Sequence, residues 1–267
     1  MPYRLAIVGV GRLGGALAEG LLDAAWCEPG ELVLVQHTRE TRDELVERFP
    51  GVAVVAELGP ADVDANTGAV LCVKPDHAES VARVLGALGV TRLLSVVAGL
   101  SSARLEAAAG PIAVVRAMPN TPVLVRRGVS AIAGGAHATS ADLEWAESVL
   151  GAVGSVVRVS ERHLDAVTGL SGAMPAYVFM VVEALIEAGV HQGLSRSVAR
   201  DLVVGTLAGS AQLLETTGAS PEELRAQVTS PGGVTAAGLR VLEGRALRAA
   251  LLDAVAAASE RARQLGR

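Results

Sequence analysis

Apolar and polar positions follow two different rhythms along this chain, and the change falls near residue 160. Before it, short apolar runs recur at residues 4–8, 32–35, 69–73, 93–97, 112–116 and 129–133, with a weaker one at 52–55. Longer stretches of helical composition separate them, 13–25 being the clearest. Such runs read as strands, and their alternation with helices predicts right-handed crossovers and a mostly parallel sheet covered on both faces. After residue 160 the strand signal stops. Residues 175–190 predict a helix with Pro175 in its first turn, apolar on nearly every side except at Glu183 and Glu187. Ser195 starts a second helix running to about 216, and Ser220, Pro221 and Glu223 have the pattern of a capping box. Two more helices follow Pro231-Gly232-Gly233. The expected organisation is an α/β doubly wound sheet over 1–160 and an all-α domain over 161–267. Helices this uniformly apolar cannot all cover one another within roughly a hundred residues. A second copy of the chain is the expected cover, giving a homodimer through the helical domain or a larger homo-oligomer.

Composition narrows the class. The chain is 51% hydrophobic but only 2% aromatic, so Ala, Val and Leu must build the core. A net charge of −5 argues against a nucleic-acid partner, which needs clustered cations. Cys27 and Cys72 form neither a disulfide framework nor a metal-ligand spacing, so no metal is expected and a reducing, cytoplasmic setting is the default. No cationic leader precedes the first strand, and Glu183 and Glu187 make 175–190 read as a buried helix and not a membrane span.

The chemistry begins at Gly9-Val10-Gly11-Arg12-Leu13-Gly14, a G-x-G-x-x-G between the first strand and the first helix. Its glycines allow a tight turn, a close backbone approach to a pyrophosphate and close helix–strand packing. This is the Rossmann-type dinucleotide fingerprint, and the helix N-terminus behind it favours phosphate. An NAD enzyme usually carries an acidic residue at the end of the second strand. Here the chain reads Gln36-His37-Thr38-Arg39 with Arg42 nearby. Thr38 can hydrogen-bond a 2′-phosphate and Arg39 can neutralise it, so NADPH is the expected cofactor, with NADH also accommodated. Val73-Lys74-Pro75 ends the third clear strand, and Ala98 follows the next. Ligands of doubly wound sheets bind outside the carboxyl ends of strands, which makes these residues cofactor candidates too. Asn120, in Arg116-Ala117-Met118-Pro119-Asn120-Thr121-Pro122, can offer a donor and an acceptor to a bound group. In the second half, Val228-Thr229-Ser230-Pro231-Gly232-Gly233-Val234-Thr235 makes a turn whose amides can converge on an anion, flanked by hydroxyls.

Taken together and in order, these segments resemble pyrroline-5-carboxylate reductase. Residues 165–172 and Pro175-Ala176-Tyr177 extend the resemblance into the helical half, so that it covers essentially the whole chain. Ala173 and Met174 stand where the family carries serine and glycine, and Ala226 replaces an acidic residue. The resemblance implies hydride transfer from NAD(P)H to the C=N of 1-pyrroline-5-carboxylate, giving L-proline. It assigns Ser230 and Thr235 to catalysis and Glu161, Gly232, Gly233, Val234 and Thr235 to substrate binding, in sites shared between the two chains of a dimer. Rival readings are another NADP-dependent imine or 2-hydroxyacid-type reductase, or a non-catalytic NADP(H)-binding sensor. The 2-hydroxyacid type relies on a lysine in the long helix, and residues 166–190 contain none. Ala173 and Met174 favour the sensor, and the intact loop from Ser230 to Thr235 opposes it.

Overall fold

The computed structural model describes residues 2–266. Eight strands form one sheet: β1 (Leu5–Val8), β2 (Leu32–Val35), β3 (Ala53–Val55), β4 (Gly68–Leu71), β5 (Arg92–Ser95), β6 (Ala113–Met118), β7 (Gly128–Gly134) and β8 (Gly154–Arg158). Their order is β3-β2-β1-β4-β5-β6-β7-β8. The first six are parallel, β7 turns back antiparallel to β6, and β8 runs parallel to β7. The order 3-2-1-4-5-6 reverses at β1, which opens a crevice at the strand ends. Strand β8 is not among the runs expected from sequence. It is an edge strand, paired on one side, and Val156 and Val157 are its only large apolar residues.

Helices α1 (Arg12–Asp23), α2 (Arg39–Arg48), α3 (Pro75–Ala87), α4 (Ser102–Ala109) and α5 (Ser140–Gly151) cover the sheet. Leu5 and Ile7 face a core shared with Leu17 and Leu21 of α1, Leu45 of α2 and Val149 of α5. Val8 and Leu71 face the other core, with Ala78, Ala82 and Leu85 of α3 and Leu105 of α4. Alternation along β1 thus divides its side chains between two layers of helices.

The helical part contains α6 (Leu164–Val167), α7 (Met174–His191), α8 (Arg196–Thr217), α9 (Pro221–Gln227), α10 (Val234–Gly244) and α11 (Leu247–Leu265). Ser195 caps α8 through the Val198 amide, and Ser220 and Glu223 complete the expected capping box of α9. The chain forms two compact units: residues up to Ala173 together with those from Ala256 onward, and Met174–Val255. The sheet unit therefore keeps 161–173, beyond the boundary expected at 160. Leu164 explains this, being buried with Ala131 and Ala133 of β7. The last turns of α11 also belong to the sheet unit, where Ser259 and Ala262 are buried. A Cβ on Gly99 would stand 3.0 Å from the Leu265 carbonyl, so this end of α11 lies close against the loop after β5.

Within its own unit, α7 is not the buried helix expected. Ile186 is its one buried residue, while Phe179 and Met180 are about 60% exposed. Leu202, Val204, Leu207 and Leu213 of α8 are exposed as well. By length and composition alone, Glu161–His191 is a run apolar enough to cross a membrane. Apolar surface on this scale marks a face made to be covered.

Candidate functional site

The cofactor candidates stand at the carboxyl ends of β1, β2, β4, β5 and β6, all within the sheet unit. The three glycines meet three different surroundings. Gly9 has φ +89°, and a Cβ there would lie 2.7 Å from Val73 Cγ1 and 2.8 Å from the Val73 amide nitrogen. Gly14 packs so tightly that its Cβ would come 3.0 Å from the Gly9 carbonyl. A Cβ on Gly11 would meet nothing within 4 Å. The first and third glycines are thus demanded by the protein, and the open space above the second is the one a pyrophosphate needs. Arg12 is exposed and Leu13 half-buried, whereas Val10 is buried and its carbonyl accepts from Gln36 Nε2 at 3.4 Å.

At the end of β2, His37, Thr38 and Arg39 are exposed. Arg39 reaches only Asp43, at 4.0 Å, in a solvent-exposed pair that contributes little and releases easily. Arg42 is engaged differently, its Nη1 donating to the carbonyls of Gln36 at 3.0 Å and His37 at 2.6 Å. Arg42 therefore shapes the turn, and Arg39 stays available to a ligand. Beyond β4 and β5, Lys74 and Ala98 are exposed, Val73 lies against Gly9, and Pro75 opens α3.

Asn120 has partners within the protein itself. Its Oδ1 accepts from the Val129 amide at 2.9 Å, and its Nδ2 donates to Ser171 Oγ at 3.2 Å and the Ser171 carbonyl at 3.4 Å. The side chain expected to meet the cofactor is engaged at both ends within the protein. Nothing in the sequence announces this, because Ser171 is 51 residues away.

Glu161 is engaged on both of its carboxylate oxygens. Its oxygens accept from the Ser102 amide at 2.7 Å, the Ser102 hydroxyl at 2.6 Å and Arg116 Nη1 at 3.2 Å. Partial burial pushes its carboxyl up, but the Ser102 hydroxyl and amide and the Arg116 guanidinium outweigh burial and hold it below the ordinary carboxylate range. A carboxylate offers about four acceptor positions, so these donors leave one more. Ser102 and Arg116 are not among the residues singled out from sequence; only a half-buried arginine seeking its counter-ion could have signalled them.

In the helical unit the anion loop is a type II turn. Pro231 and Gly232 are its central residues, Gly232 has φ +70°, and the Gly233 amide donates to the Ser230 carbonyl at 3.0 Å. Gly233 is the N-cap of α10 and leaves that helix start without a side-chain cap. A Cβ on Gly233 would collide with Ser230 Oγ, which holds this hydroxyl beside the uncapped amides. Val234 is 91% exposed, and Thr235 Oγ1 has no hydrogen-bond partner among the described residues.

A pattern emerges across the helices. Helices α4, α5, α8 and α9 begin with a side-chain cap from Ser101, Thr139, Ser195 and Ser220. Helices α1, α2, α3, α6 and α10 begin without one, at Gly11, Thr38, Lys74, His163 and Gly233. Uncapped amides combined with the positive end of the helix dipole are ready for anions. The starts of α1, α2, α3 and α10 carry most of the candidate residues.

The chain is similar to known proteins along nearly its whole length. Residues 161–265 match the family model for pyrroline-5-carboxylate reductase dimerisation, and residues 4–99 match one described as NADP oxidoreductase, coenzyme F420-dependent. The chain is 39% identical to the pyrroline-5-carboxylate reductase of Corynebacterium melassecola, over 98% of each chain. It is 40% identical to that of Mycobacterium tuberculosis, over 98% of this chain and 96% of that one. Among solved structures, the Coxiella burnetii pyrroline-5-carboxylate reductase superposes with a TM-score of 0.90 at 29% identity over all of both chains. The Plasmodium falciparum pyrroline carboxylate reductase with NADP bound gives 0.84 at 28% identity, over 99% of this chain and 98% of that one. Fold, motifs and full-length similarity converge: the chain belongs to the pyrroline-5-carboxylate reductase family.

Proposed function

We propose that this chain reduces the C=N bond of 1-pyrroline-5-carboxylate to give L-proline, drawing on NADPH in preference to NADH. The observation that carries this reading is the presence of two glycine-started, uncapped helices, one in each unit: α1 suited to a pyrophosphate and α10 to a small carboxylate. When bound, the nicotinamide supplies the hydride. The residues of this chain bind, orient and neutralise. Amides following Gly11, together with exposed Arg12, suit the pyrophosphate, and Thr38 and Arg39 suit a 2′-phosphate. Amides of Gly233, Val234 and Thr235, with Ser230 Oγ, suit the substrate carboxylate, and the left-handed turn at Gly232 presents them.

The carbon of a C=NH⁺ group accepts hydride far more readily than that of a neutral imine, so the ring nitrogen must carry a proton. Thr235 Oγ1 is the candidate to touch that nitrogen. A threonine hydroxyl is a weak acid, so it orients the ring and does not supply the proton by itself. Glu161, with one acceptor position left, suits the amine of the product. The decisive assay follows oxidation of NADPH in the presence of 1-pyrroline-5-carboxylate. Absence of turnover in a protein that binds NADPH would leave the sensor reading in its place.

Two expectations accompany this reading. Turnover at limiting cofactor should give a higher kcat/KM for NADPH than for NADH, because Arg39 can swing from Asp43 to a 2′-phosphate. A clear NADH preference overturns that assignment. The exposed apolar faces of α7 and α8 support a homodimer through the helical unit. Light scattering on dilution should therefore show a dimer or larger multiple, and a stable, active monomer would refute it. The cytoplasm suits both free cysteines: burial pushes the Cys72 thiol up to about 12, which suppresses its oxidation.

A further inference from the structure

Arg116, Met118 and Asn120 alternate along β6 and just past its end, so their side chains share one face of the sheet. All three engage the same segment. Arg116 pairs with Glu161 at 3.2 Å, with the two side chains 11% and 29% exposed. Met118 packs against the small core of Ala131, Ala133 and Leu164, and its ε-methyl would stand 2.9 Å from a Cβ on Gly172. Asn120 donates to the hydroxyl and carbonyl of Ser171. The segment held in this way ends in a π-turn, Thr168–Gly172, closed by the Ala173 amide donating to the Thr168 carbonyl at 2.9 Å. Immediately after it the chain leaves the sheet unit, at Met174.

A π-turn holds one residue more than an α-turn and survives only where its surroundings favour it. Relaxing it to α-helix would take one residue out of the turn and move Ser171 by about 100° around the helix axis, away from Asn120. We infer that Arg116, Met118 and Asn120 form a positioning rail that locks this π-turn, so that Asn120 acts through Ser171 on the placement of the segment that begins at Glu161 and not on the cofactor. The inference rests on the reductase reading, because its effect appears in how well the imine is placed for hydride. None of the rail's hydrogen bonds reaches β1, β2 or β4, so cofactor binding is separable from it.

Asn120→Asp keeps the Oδ1 acceptor for the Val129 amide and removes the donor to Ser171. Misplacement of reacting groups by about 1 Å can cost a hundredfold in rate. Asn120→Asp should therefore lower kcat for 1-pyrroline-5-carboxylate by roughly ten- to a hundredfold, with the NADPH dissociation constant held within about twofold. Ser171→Ala should move kcat in the same direction by less, since the Ser171 carbonyl remains, while Ser171→Thr should restore it. The Ser171 pair carries the test if Asn120→Asp does not fold. NADPH affinity falling in step with kcat would return Asn120 to the cofactor and overturn the inference. A lower melting temperature with intact kinetics would overturn it also, by reducing the rail to a structural brace. A wild-type protein that binds NADPH but never turns over would instead defeat the reductase reading.

Discussion

Gly11→Ala is expected to leave the melting temperature unchanged and to weaken NADPH binding about ten- to a hundredfold. The methyl would touch nothing in the protein, so folding has no reason to notice it. It would occupy the space through which a pyrophosphate approaches the uncapped amides of α1. Displacing the phosphate from one or two charge-assisted hydrogen bonds costs about 1.5–3 kcal/mol, which sets the range. Gly9→Ala serves as the contrast. Its backbone, at φ +89°, costs an L-residue roughly 1–2 kcal/mol, and its methyl would strike Val73. That variant should lose stability with or without ligand. Calorimetry beside a fluorescence titration of NADPH checks both, and equal melting losses in the two variants would remove Gly11 from the cofactor.

The second large effect falls on Thr235→Val. Valine preserves the branched shape, and the start of α10 depends on no side-chain cap, so stability should hold. If Oγ1 orients the ring nitrogen, kcat/KM should fall ten- to a hundredfold, the equivalent of roughly 1–3 kcal/mol for a buried hydrogen bond. Steady-state kinetics and a melting curve on the same preparation suffice. Full activity would remove Thr235 from the site, whereas a stability loss of about 1 kcal/mol would reveal a capping role.

Much of this molecule is readable in one dimension because its signals are local. The glycine fingerprint, the capping box at Ser220 and the turn at Gly232 each act within a few residues. Strands β1, β2, β4 and β5 announce themselves because both faces are buried and nearly every position is therefore apolar. Edge strand β8 lacks that pressure and leaves no comparable run. Asn120 attracts a functional reading by residue type and Glu161 through the family resemblance, but their partners Ser171, Arg116 and Ser102 lie 51, 45 and 59 residues away. Tertiary hydrogen bonds of that span leave no periodicity behind. An apolar helix such as α7 looks alike in sequence whether its own chain or a partner covers it; the structure shows that its own chain leaves it exposed.

The path of α11 has a topological consequence. This helix starts in the helical unit at Leu247 and finishes in the sheet unit at Leu265, so the polypeptide crosses between units twice. The helical unit is an insertion, tethered at Met174 and again at Val255. A single proteolytic nick between α7 and α8 would yield two fragments that each retain a piece of the sheet unit. The burial of Ser259 and Ala262, together with the approach of Leu265 to Gly99, would then keep the shorter piece attached. Neither unit can be excised by one cut, and the natural places to open the chain are its exposed interhelical turns, not the junction near residue 160.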